Sequence, residues 1–329
     1  MSGGSGSTAD RGLSGVPRVA CDQAAVRAAQ AAARQAAVDE HHRRRPAEPL
    51  RRYVAWYTGY RQRGVPPARH RGLPSPYLTL IFTLDEPLTI AAHPDPGQPP
   101  GEFGTLLGGL HSAPALIAHD GAQSGIQVAL RPLGTRALLG LPAGELAAID
   151  VPAEAVLGGV CAELRDRVRA AAGWPARFAV LDEILLRRAT AEAEVAPEVG
   201  WAWRRLLRAG GDVRVSELAA GTGWSDRHLT SRFRAEIGLT PKAAARVIRF
   251  DRARRRLIAQ LAGPEYRLAG PGYRLADLAV DCGYFDQAHL AREFRALAGC
   301  PPSQWLAEEF GNVQAGNWVT GEGWEDQAW

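Results

Sequence analysis

The pattern of hydrophobic positions changes twice along the chain. Between Tyr53 and about Asp150, short apolar runs rich in β-branched residues alternate with Pro/Gly turns, which predicts strands. The clearest runs are Tyr77–Leu84, Leu88–His93 and Ile126–Leu130. Their spacing favours a compact antiparallel sandwich or small barrel. Apolar residues then recur every three or four positions near residues 157–172 and 177–190, which predicts two helices.

The N-terminal segment lacks such a pattern. Residues 1–20 are rich in Gly and Ser, and residues 21–40 have high helix propensity but offer only alanine for burial. The polar cluster His41–Pro46 is interpreted as a solvated linker. We therefore expect residues 1–48 to form a disordered or Ala-rich helical extension. Deletion of residues 1–45 is expected to leave the fold intact.

The remaining boundaries follow from changes in composition. The β-rich region and its two helices are expected to form one domain over residues 49–192. An acidic, Ala-rich stretch at 191–196 is the expected interdomain link. A helical domain is expected over residues 195–310, beginning with a helix at Pro197. Residues 311–329 form an acidic tail that contains tryptophan.

A helical pattern occurs twice in the C-terminal third. The segments Val213–Pro241 and Tyr273–Pro302 align first at an offset of 60 residues, and at 61 after one extra residue in the second turn. Aligned positions include Leu218 and Leu278, Gly223 and Gly283, Gly238 and Gly299, and Pro241 and Pro302. Each copy predicts a short helix, a glycine turn and a second helix, which is a helix-turn-helix unit. Ser225 and Asp286 are the expected N-caps of the second helices.

The second helix of each unit has one apolar and one solvent-directed stripe. The apolar stripes, which should face the core, are Leu229, Phe233 and Ile237 in the first unit and Leu290, Phe294 and Leu297 in the second. The opposite stripes are Arg227, Thr230, Ser231 and Arg234, and Ala288, Ala291, Arg292 and Arg295. Positions i, i+3, i+4 and i+7 lie along one side of a helix that can enter a DNA major groove.

Positive charge is concentrated in the same region. Residues 201–306 contain 17 arginines and Lys242 against ten acidic residues, a net charge of +8. Residues 1–200 carry 21 basic and 20 acidic groups, a net charge of +1. A basic domain beside a neutral one indicates a polyanionic partner. A pair of helical hairpins with a solvated basic surface would account for the charge, but not for the duplicated caps and turns.

Residues 200–306 resemble the DNA-binding domain of AraC/XylS-type regulators. The resemblance rests on the two units, the helix from Pro241 through RVIRFDRARRRL, and the second-unit motif GYFDQAHLAREFRALAGCPP. It implies two helix-turn-helix units joined by a long helix, with both recognition helices on one face of the DNA. Matched by position, base contacts fall on Arg227, Thr230 and Ser231, and on Gln287, Ala288, Ala291 and Arg292. Contacts to the DNA backbone are expected from Ser225, Arg234 and Arg295.

Three features depart from this pattern. Arg214 and Arg274 stand at the N-cap positions of the first helices, where Ser, Thr or Asp would cap better. The second recognition helix presents two alanines. The sequence GPEYRLA at 263–269 repeats as GPGYRLA at 270–276, and the first copy is expected to form a loop.

The fold class expected is α+β with two domains. The first is a β-rich, cupin-like domain with flanking helices, similar to the sensor domains that precede this DNA-binding domain in many family members. The second is an all-α domain. The expected function is sequence-specific transcription regulation in the cytoplasm, with an operator in double-stranded DNA as partner and without enzymatic activity or cofactor. A small effector or a second subunit is expected at the first domain, RNA polymerase would be a partner of an activator, and a homodimer stays open.

Two other functional classes agree with part of the sequence. In an enzyme, His70, His93, His111 and His119 of the β region could hold a metal, but no HxH or HxxxE spacing links them. An architectural DNA-binding protein would bind without sequence preference, whereas Thr230, Ser231, Gln287 and Arg292 suit base contacts. The scattered cysteines, Cys21, Cys161, Cys282 and Cys300, indicate free thiols, and no apolar run is long enough to span a membrane. A cluster of aromatic and polar residues could form the wall of an effector pocket, although such aromatic residues more often belong to the core: Trp56, Tyr57, Tyr60, Arg61, His70 and Arg71.

Overall fold

The computed structural model describes Met1 and residues 37–190, 195–262 and 275–312. Within these ranges, antiparallel strands form two sheets. The strands are β1 (Val38–Arg44), β2 (Val54–Arg63), β3 (Ala68–Gly72), β4 (Leu78–Thr83), β5 (Leu88–Ala92), β6 (Gly101–Phe103), β7 (Thr105–Gly108), β8 (Ala115–His119), β9 (Ala122–Leu130) and β10 (Asp150–Val151). One sheet has the order β1-β2-β9-β4-β7-β10, and the other has the order β3-β8-β5-β6. The antiparallel two-sheet arrangement predicted from the short apolar runs is confirmed.

The helices of the first domain follow strand β9 in the sequence. They are α1 (Thr135–Leu139), α2 (Glu154–Leu157), α3 (Gly159–Ala170) and α4 (Gly173–Arg188). Single 3-10 turns lie at Glu48–Leu50, Pro132–Gly134 and Ala143–Leu146. Helices α3 and α4 confirm the two helices predicted from the three- and four-residue periodicity, and each ends within two residues of its predicted end.

The larger sheet has its main core on the side covered by these helices. Leu78, Leu80 and Phe82 alternate along β4 and are almost completely buried in the core that also contains Phe178 of α4. Ile81, which lies between Leu80 and Phe82 in the strand, belongs to a smaller hydrophobic cluster with Leu88, Ile90 and Leu106. A strand places successive side chains on opposite faces, so this alternation fixes which side of β4 meets the helices. Each fully buried Leu or Phe side chain stabilises the fold by about 1.5–3 kcal/mol.

Strand β1 corrects the interpretation of His41–Pro46 as a solvated linker. It pairs with β2 along its whole length, from Val38 opposite Arg63 to Arg44 opposite Tyr57. Trp174 of α4 donates a hydrogen bond from Nε1 to Glu40 (3.0 Å), and His42 stacks on the same indole with ring centroids 5.3 Å apart. Edge strands often carry charged residues and so lack apolar alternation, which is why the pattern missed β1.

The expected extension over residues 1–48 is therefore too long. The first domain already includes Val38, and deletion through residue 45 would remove a strand of the larger sheet. The rest of that extension, residues 2–36, lies outside the described residues.

A buried carboxylate fastens helix α4 to β1 and β2. Asp182 Oδ1 accepts hydrogen bonds from the Tyr57 hydroxyl (3.0 Å) and the Ala47 amide (2.9 Å), and Oδ2 accepts one from Arg44 (3.2 Å). Burial and the nearby Asp182 carboxylate raise the pKa of Tyr57 well above its ordinary value. The phenol therefore stays protonated and remains a donor.

All regular secondary structure among the described residues of the C-terminal domain is helical. Its helices are α5 (Pro197–Arg208), α6 (Val215–Thr222), α7 (Asp226–Ile237), α8 (Pro241–Ala262), α9 (Leu275–Asp281), α10 (Gln287–Ala298) and α11 (Pro302–Asn312). The pairs α6–α7 and α9–α10 are the two predicted helix-turn-helix units, and α8 is the long helix between them. Thr240 caps α8 by accepting the Ala243 amide hydrogen bond (3.2 Å), and Pro241 follows at the first helical position.

The first copy of the seven-residue duplication, Arg274 and most of the acidic tail lie outside the described residues, as does the link at 191–194. Among the helices of the described ranges, none is long and apolar enough to cross a membrane.

Replacing Asp182 with Ala should destabilise the first domain by about 3 kcal/mol, because three donors would lose a shared buried acceptor. The free energy of unfolding in urea measures this loss. Glu183 is the matched control, since its exposed carboxylate pairs with Arg167 at the surface. Glu183→Ala should leave the unfolding free energy nearly unchanged, and equal losses in the two variants would contradict the assigned role of Asp182.

Candidate DNA-binding interface

Glycine turns separate the two helices of each unit. Gly223 ends α6 with φ of +71°, and Gly283 follows α9 with φ of +78°. Only glycine adopts this left-handed conformation without a Cβ penalty, so the duplicated glycines fix where each first helix stops.

Both second helices begin at the predicted N-caps. The Ser225 hydroxyl accepts a hydrogen bond from the His228 amide (3.3 Å), and Asp286 Oδ1 accepts one from the His289 amide (2.6 Å). Arg214 makes no side-chain cap at α6, as expected, and pairs instead with Glu217 in the first turn (2.7 Å). The two recognition helices, α7 and α10, thus start from equivalent local structures.

The apolar stripes of α7 and α10 face the core, as predicted. Each of these six side chains is at most 1% exposed: Leu229, Phe233, Ile237, Leu290, Phe294 and Leu297. Trp203 of α5 contacts Phe233 with ring centroids 6.1 Å apart, and Phe250 of α8 meets Phe294 edge-on at 4.9 Å. Burial of one stripe of each helix determines which stripe faces solvent.

The opposite stripes lie at the surface. On α7, Arg227, Ser231 and Arg234 are exposed and Thr230 is partly buried. On α10, Ala291 is partly buried, and the exposed residues are Gln287, Ala288, Arg292 and Arg295. Ser225, the N-cap of α7, is also exposed. We call the two sets the first and the second reading face. None of the described acidic side chains forms a salt bridge with the four arginines of these faces.

The histidines beside the reading faces pack within their own units. His228 lies edge-on against Trp224 at 4.6 Å between ring centroids, and His289 lies edge-on against Tyr284 at 5.3 Å. His289 Nδ1 also accepts a hydrogen bond from the Phe285 amide (3.3 Å). Both rings therefore support the turns that lead into the recognition helices.

The end of the first recognition helix contacts the β-rich domain, which the sequence did not indicate. The turn Ala143–Leu146 lies so close to α7 that a Cβ on Gly144 would stand 2.0 Å from the Ala235 carbonyl oxygen. Arg136 of α1 donates two hydrogen bonds to the Glu236 carboxylate, both 2.8 Å. These residues are 100 positions apart in the chain, so no local pattern could reveal the contact.

This contact borders the first reading face. Gly144 and Ala147 line the same groove as Thr230, Ser231 and Arg234. Thr230 and Ser231 of the first reading face therefore lie beside the turn Ala143–Leu146.

Helix α8 makes a second contact with the β-rich domain. The buried Asp251 carboxylate pairs with Arg254 (2.7 Å) and Arg255 (2.6 Å). The Arg255 guanidinium lies 5.5 Å from the ring centroid of Trp56 and 5.7 Å from that of Tyr77. Burial opposes ionisation of Asp251, but the charges of Arg255 and Arg254 hold its pKa below its ordinary value. A third contact joins Arg71 of β3 to Glu308 of α11 by an ion pair.

Arg43 of β1 completes the contact at Trp56. Its guanidinium lies over the Trp56 ring, 4.2 Å from the centroid. Burial, with the nearby positive charge of Arg255, lowers the pKa of Arg43 to about 10. Arg43 therefore remains charged at neutral pH.

Four residues considered for an effector pocket, Trp56, Tyr57, His70 and Arg71, have different surroundings. Tyr57 is in the main core against Phe178, whereas Trp56 and Arg71 contact the C-terminal domain. His70 lies beside His119, and burial lowers its pKa to about 4, so its imidazole is neutral at pH 7. Successive residues of β2 point to opposite faces, which separates neighbours that the sequence placed together.

The other candidate groups of the β region have structural surroundings. His93 Nδ1 lies 2.7 Å from Asp150 Oδ2 in a buried pair. Among the described residues, no three His, Cys, Asp or Glu side chains are grouped as metal ligands. Cys161, Cys282 and Cys300 are buried, and Cys21 lies outside the described residues.

Comparison with protein-family models gives two matches, one in each domain. Residues 218–308 match a helix-turn-helix domain. The C-terminal domain is an AraC-type helix-turn-helix domain. Residues 42–152 match a domain of unknown function, DUF6597. The AraC-type domain makes the protein a DNA-binding transcription regulator.

Solved structures similar to this one include ToxT and the C-terminal domain of AraT. ToxT from Vibrio cholerae is 10% identical with a TM-score of 0.44, over 76% of this chain and 97% of that chain. ToxT with a bound unsaturated fatty acid is 8% identical with a TM-score of 0.45, over 80% and 97%. The C-terminal domain of AraT, a response regulator from Geobacillus stearothermophilus, is 20% identical with a TM-score of 0.28, over 34% and 85%. No curated protein matches the sequence.

Gly144→Ala should weaken the contact between the turn Ala143–Leu146 and α7, because the new methyl group would overlap the Ala235 carbonyl oxygen. We expect the free energy of unfolding to fall by about 1–3 kcal/mol. Gly159→Ala is the control, since a Cβ at Gly159, the first residue of α3, meets nothing within 4 Å. If both variants unfold at the same urea concentration as the parent protein, the turn Ala143–Leu146 does not pack closely against α7.

Proposed function

We propose that the protein binds a specific operator in double-stranded DNA through both recognition helices, which enter successive major grooves on one face of the duplex. The main support is the pair of exposed reading faces, which lie on helices with equivalent caps, turns and buried stripes. The net charge of +8 over residues 201–306 supports a DNA partner. We also propose that the protein acts in the cytoplasm, where a bacterial operator lies.

The reading faces differ in the bases they can recognise. Arginine donates two hydrogen bonds to guanine, and glutamine pairs with adenine, so Arg227, Arg292 and Gln287 are the polar base contacts with the clearest preferences. Thr230 and Ser231 can accept from or donate to several bases. Ala288 and Ala291 suit the methyl group of thymine. Ser225, Arg234 and Arg295 lie at the ends of the faces and suit phosphate oxygens.

Arg292→Ala should weaken binding to the operator by about 1–3 kcal/mol and relax the preference at one base pair, because the guanidinium would pair with a guanine. Arg234→Ala is the matched comparison, since it removes the same charge from a proposed phosphate contact. It should weaken binding to all sequences alike and lower the slope of log affinity against log salt by about one. Binding curves on operator and random DNA at several salt concentrations measure both effects.

The same experiment tests the architectural alternative. A protein that binds without sequence preference would lose affinity equally on operator and random DNA in both variants. That result would remove Arg292 from the base contacts and favour backbone recognition alone.

We further propose that the β-rich domain controls access to DNA in response to a small effector or a second subunit. Support comes from the contacts of this domain with two helices. Gly144 and Arg136 of the β-rich domain contact α7, and Trp56 contacts Arg255 of α8. A ligand that favours one position of the turn Ala143–Leu146 would change the exposure of Thr230 and Ser231. Couplings of this kind are typically about 1–3 kcal/mol. RNA polymerase is a further partner if the protein activates transcription.

Arg136→Ala should raise operator affinity of the full chain by at least about fivefold. Arg136 lies in the β-rich domain, and losing its ion pair with Glu236 would free α7 from the turn beside the first reading face. Arg167→Ala is the control, because it removes the same charge from an Arg–Glu pair within the β-rich domain. Unchanged or weaker binding by Arg136→Ala, relative to this control, would contradict restraint through α7.

A further inference from the structure

Phe285 is an exposed aromatic residue beside the second reading face. It is 89% exposed, more than any other described large hydrophobic side chain apart from Met1, whereas the preceding Tyr284 is 4% exposed. Exposure gives up the stabilisation that burial of an aromatic ring would bring. The Phe285 ring is therefore available to a partner outside the described residues.

The usual structural role of an apolar residue at this position does not apply. Phe285 directly precedes the N-cap Asp286, where a hydrophobic residue often packs against the fourth residue of the helix. That residue is Leu290, which is completely buried while Phe285 is almost fully exposed. The Phe285 ring therefore contributes little to the start of α10.

Comparison of the two units places Phe285 in the turn that is one residue longer. The first unit runs Gly223, Trp224, Ser225, and the second inserts Phe285 between Tyr284 and the cap. The Phe285 amide donates a hydrogen bond to His289 Nδ1, and His289 in turn donates its amide to Asp286. The backbone that carries the ring is thus held by the cap of the recognition helix.

The second reading face is also less polar than the first. Ala288 and Ala291 stand where the first unit has Arg227 and Thr230. In the major groove, the apolar group that such side chains can contact is the 5-methyl group of thymine. Arg292 and Arg295 flank this surface with positive charge, which favours DNA over an apolar protein partner.

We propose that Phe285 extends the second reading face and determines specificity by contacting the 5-methyl group of a thymine in the operator. This inference rests on the proposed DNA-binding function. The exposed ring and the two alanines together define a surface that selects thymine by its methyl group. This contact requires no hydrogen bond from the protein. Uracil lacks the 5-methyl group, so the contact is lost when uracil replaces thymine.

The test begins with in vitro selection of binding sites from a random-sequence duplex library. The full-length protein, Phe285→Ala and the control Val280→Ala are each used. Val280, on α9, is 68% exposed and lies outside both reading faces. We expect the parent protein and Val280→Ala to select the same site, and Phe285→Ala to lose a thymine preference at one position of one half-site.

Single deoxyuridine replacements in the selected site then remove one methyl group at a time. At one position, deoxyuridine should weaken binding of the parent protein roughly fourfold, as expected for one buried methyl group. The same replacement should not weaken binding of Phe285→Ala, whereas Phe285→Leu should keep part of the effect. Melting temperatures of the variants establish that each is folded.

The outcomes separate the two proposals. If the parent protein selects no sequence, the proposed DNA-binding function is wrong. If it selects a site but every deoxyuridine replacement affects the parent protein and Phe285→Ala equally, the assignment of Phe285 is overturned. Loss of transcription control by Phe285→Ala with unchanged DNA binding would also overturn it and assign the ring to a protein partner.

Discussion

The buried carboxylate of Asp251 is the constraint on which the arrangement of the DNA-binding domain depends. Asp251 lies in the long helix α8 and pairs with Arg254 and Arg255. Loss of one partner from such a buried pair is costly, because the remaining charges stay desolvated. Arg255 then carries the same network to Trp56 and Tyr77 of the β-rich domain. One helix thus joins the two helix-turn-helix units and fixes both to the first domain.

The β-rich domain also touches both units at equivalent positions. Gly238 follows the first recognition helix, and a Cβ there would lie 3.3 Å from Ala143 and Ala147. Gly299 follows the second, and a Cβ there would lie 3.6 Å from Pro114. The first unit has in addition the Arg136–Glu236 pair at the end of its helix. A change in the first domain can therefore act on both recognition helices, and most directly on the first.

Local signals predicted the DNA-binding domain well. The caps at Ser225 and Asp286 and the glycine turns involve residues a few positions apart, so the sequence contains all the information they need. Strand β1 was missed because its stability comes from β2 and from Asp182, which lies 138 residues beyond Arg44. The residues considered for a pocket wall have different surroundings, because strand alternation and a bulge after Val54 separate them. The interdomain contacts were not predicted, since each joins distant segments through one or two side chains.

The exposure of Phe285 shows a related limit. The sequence marked an extra residue in the second turn, but only the packing of Leu290 and Tyr284 shows that the ring is left outside the core. Identifying the residues that can contact DNA therefore requires both the local sequence pattern and the tertiary packing. Local repeats define the helices that can meet DNA, and tertiary packing defines which of their side chains are free to do so.

Hydroxyl-radical footprinting of the full-length protein on its selected operator tests the central claim most directly. Two recognition helices in successive major grooves should protect two backbone patches about one helical turn, roughly 34 Å, apart on the same face of the duplex. A single protected patch, or patches on opposite faces, would contradict simultaneous binding by the two units.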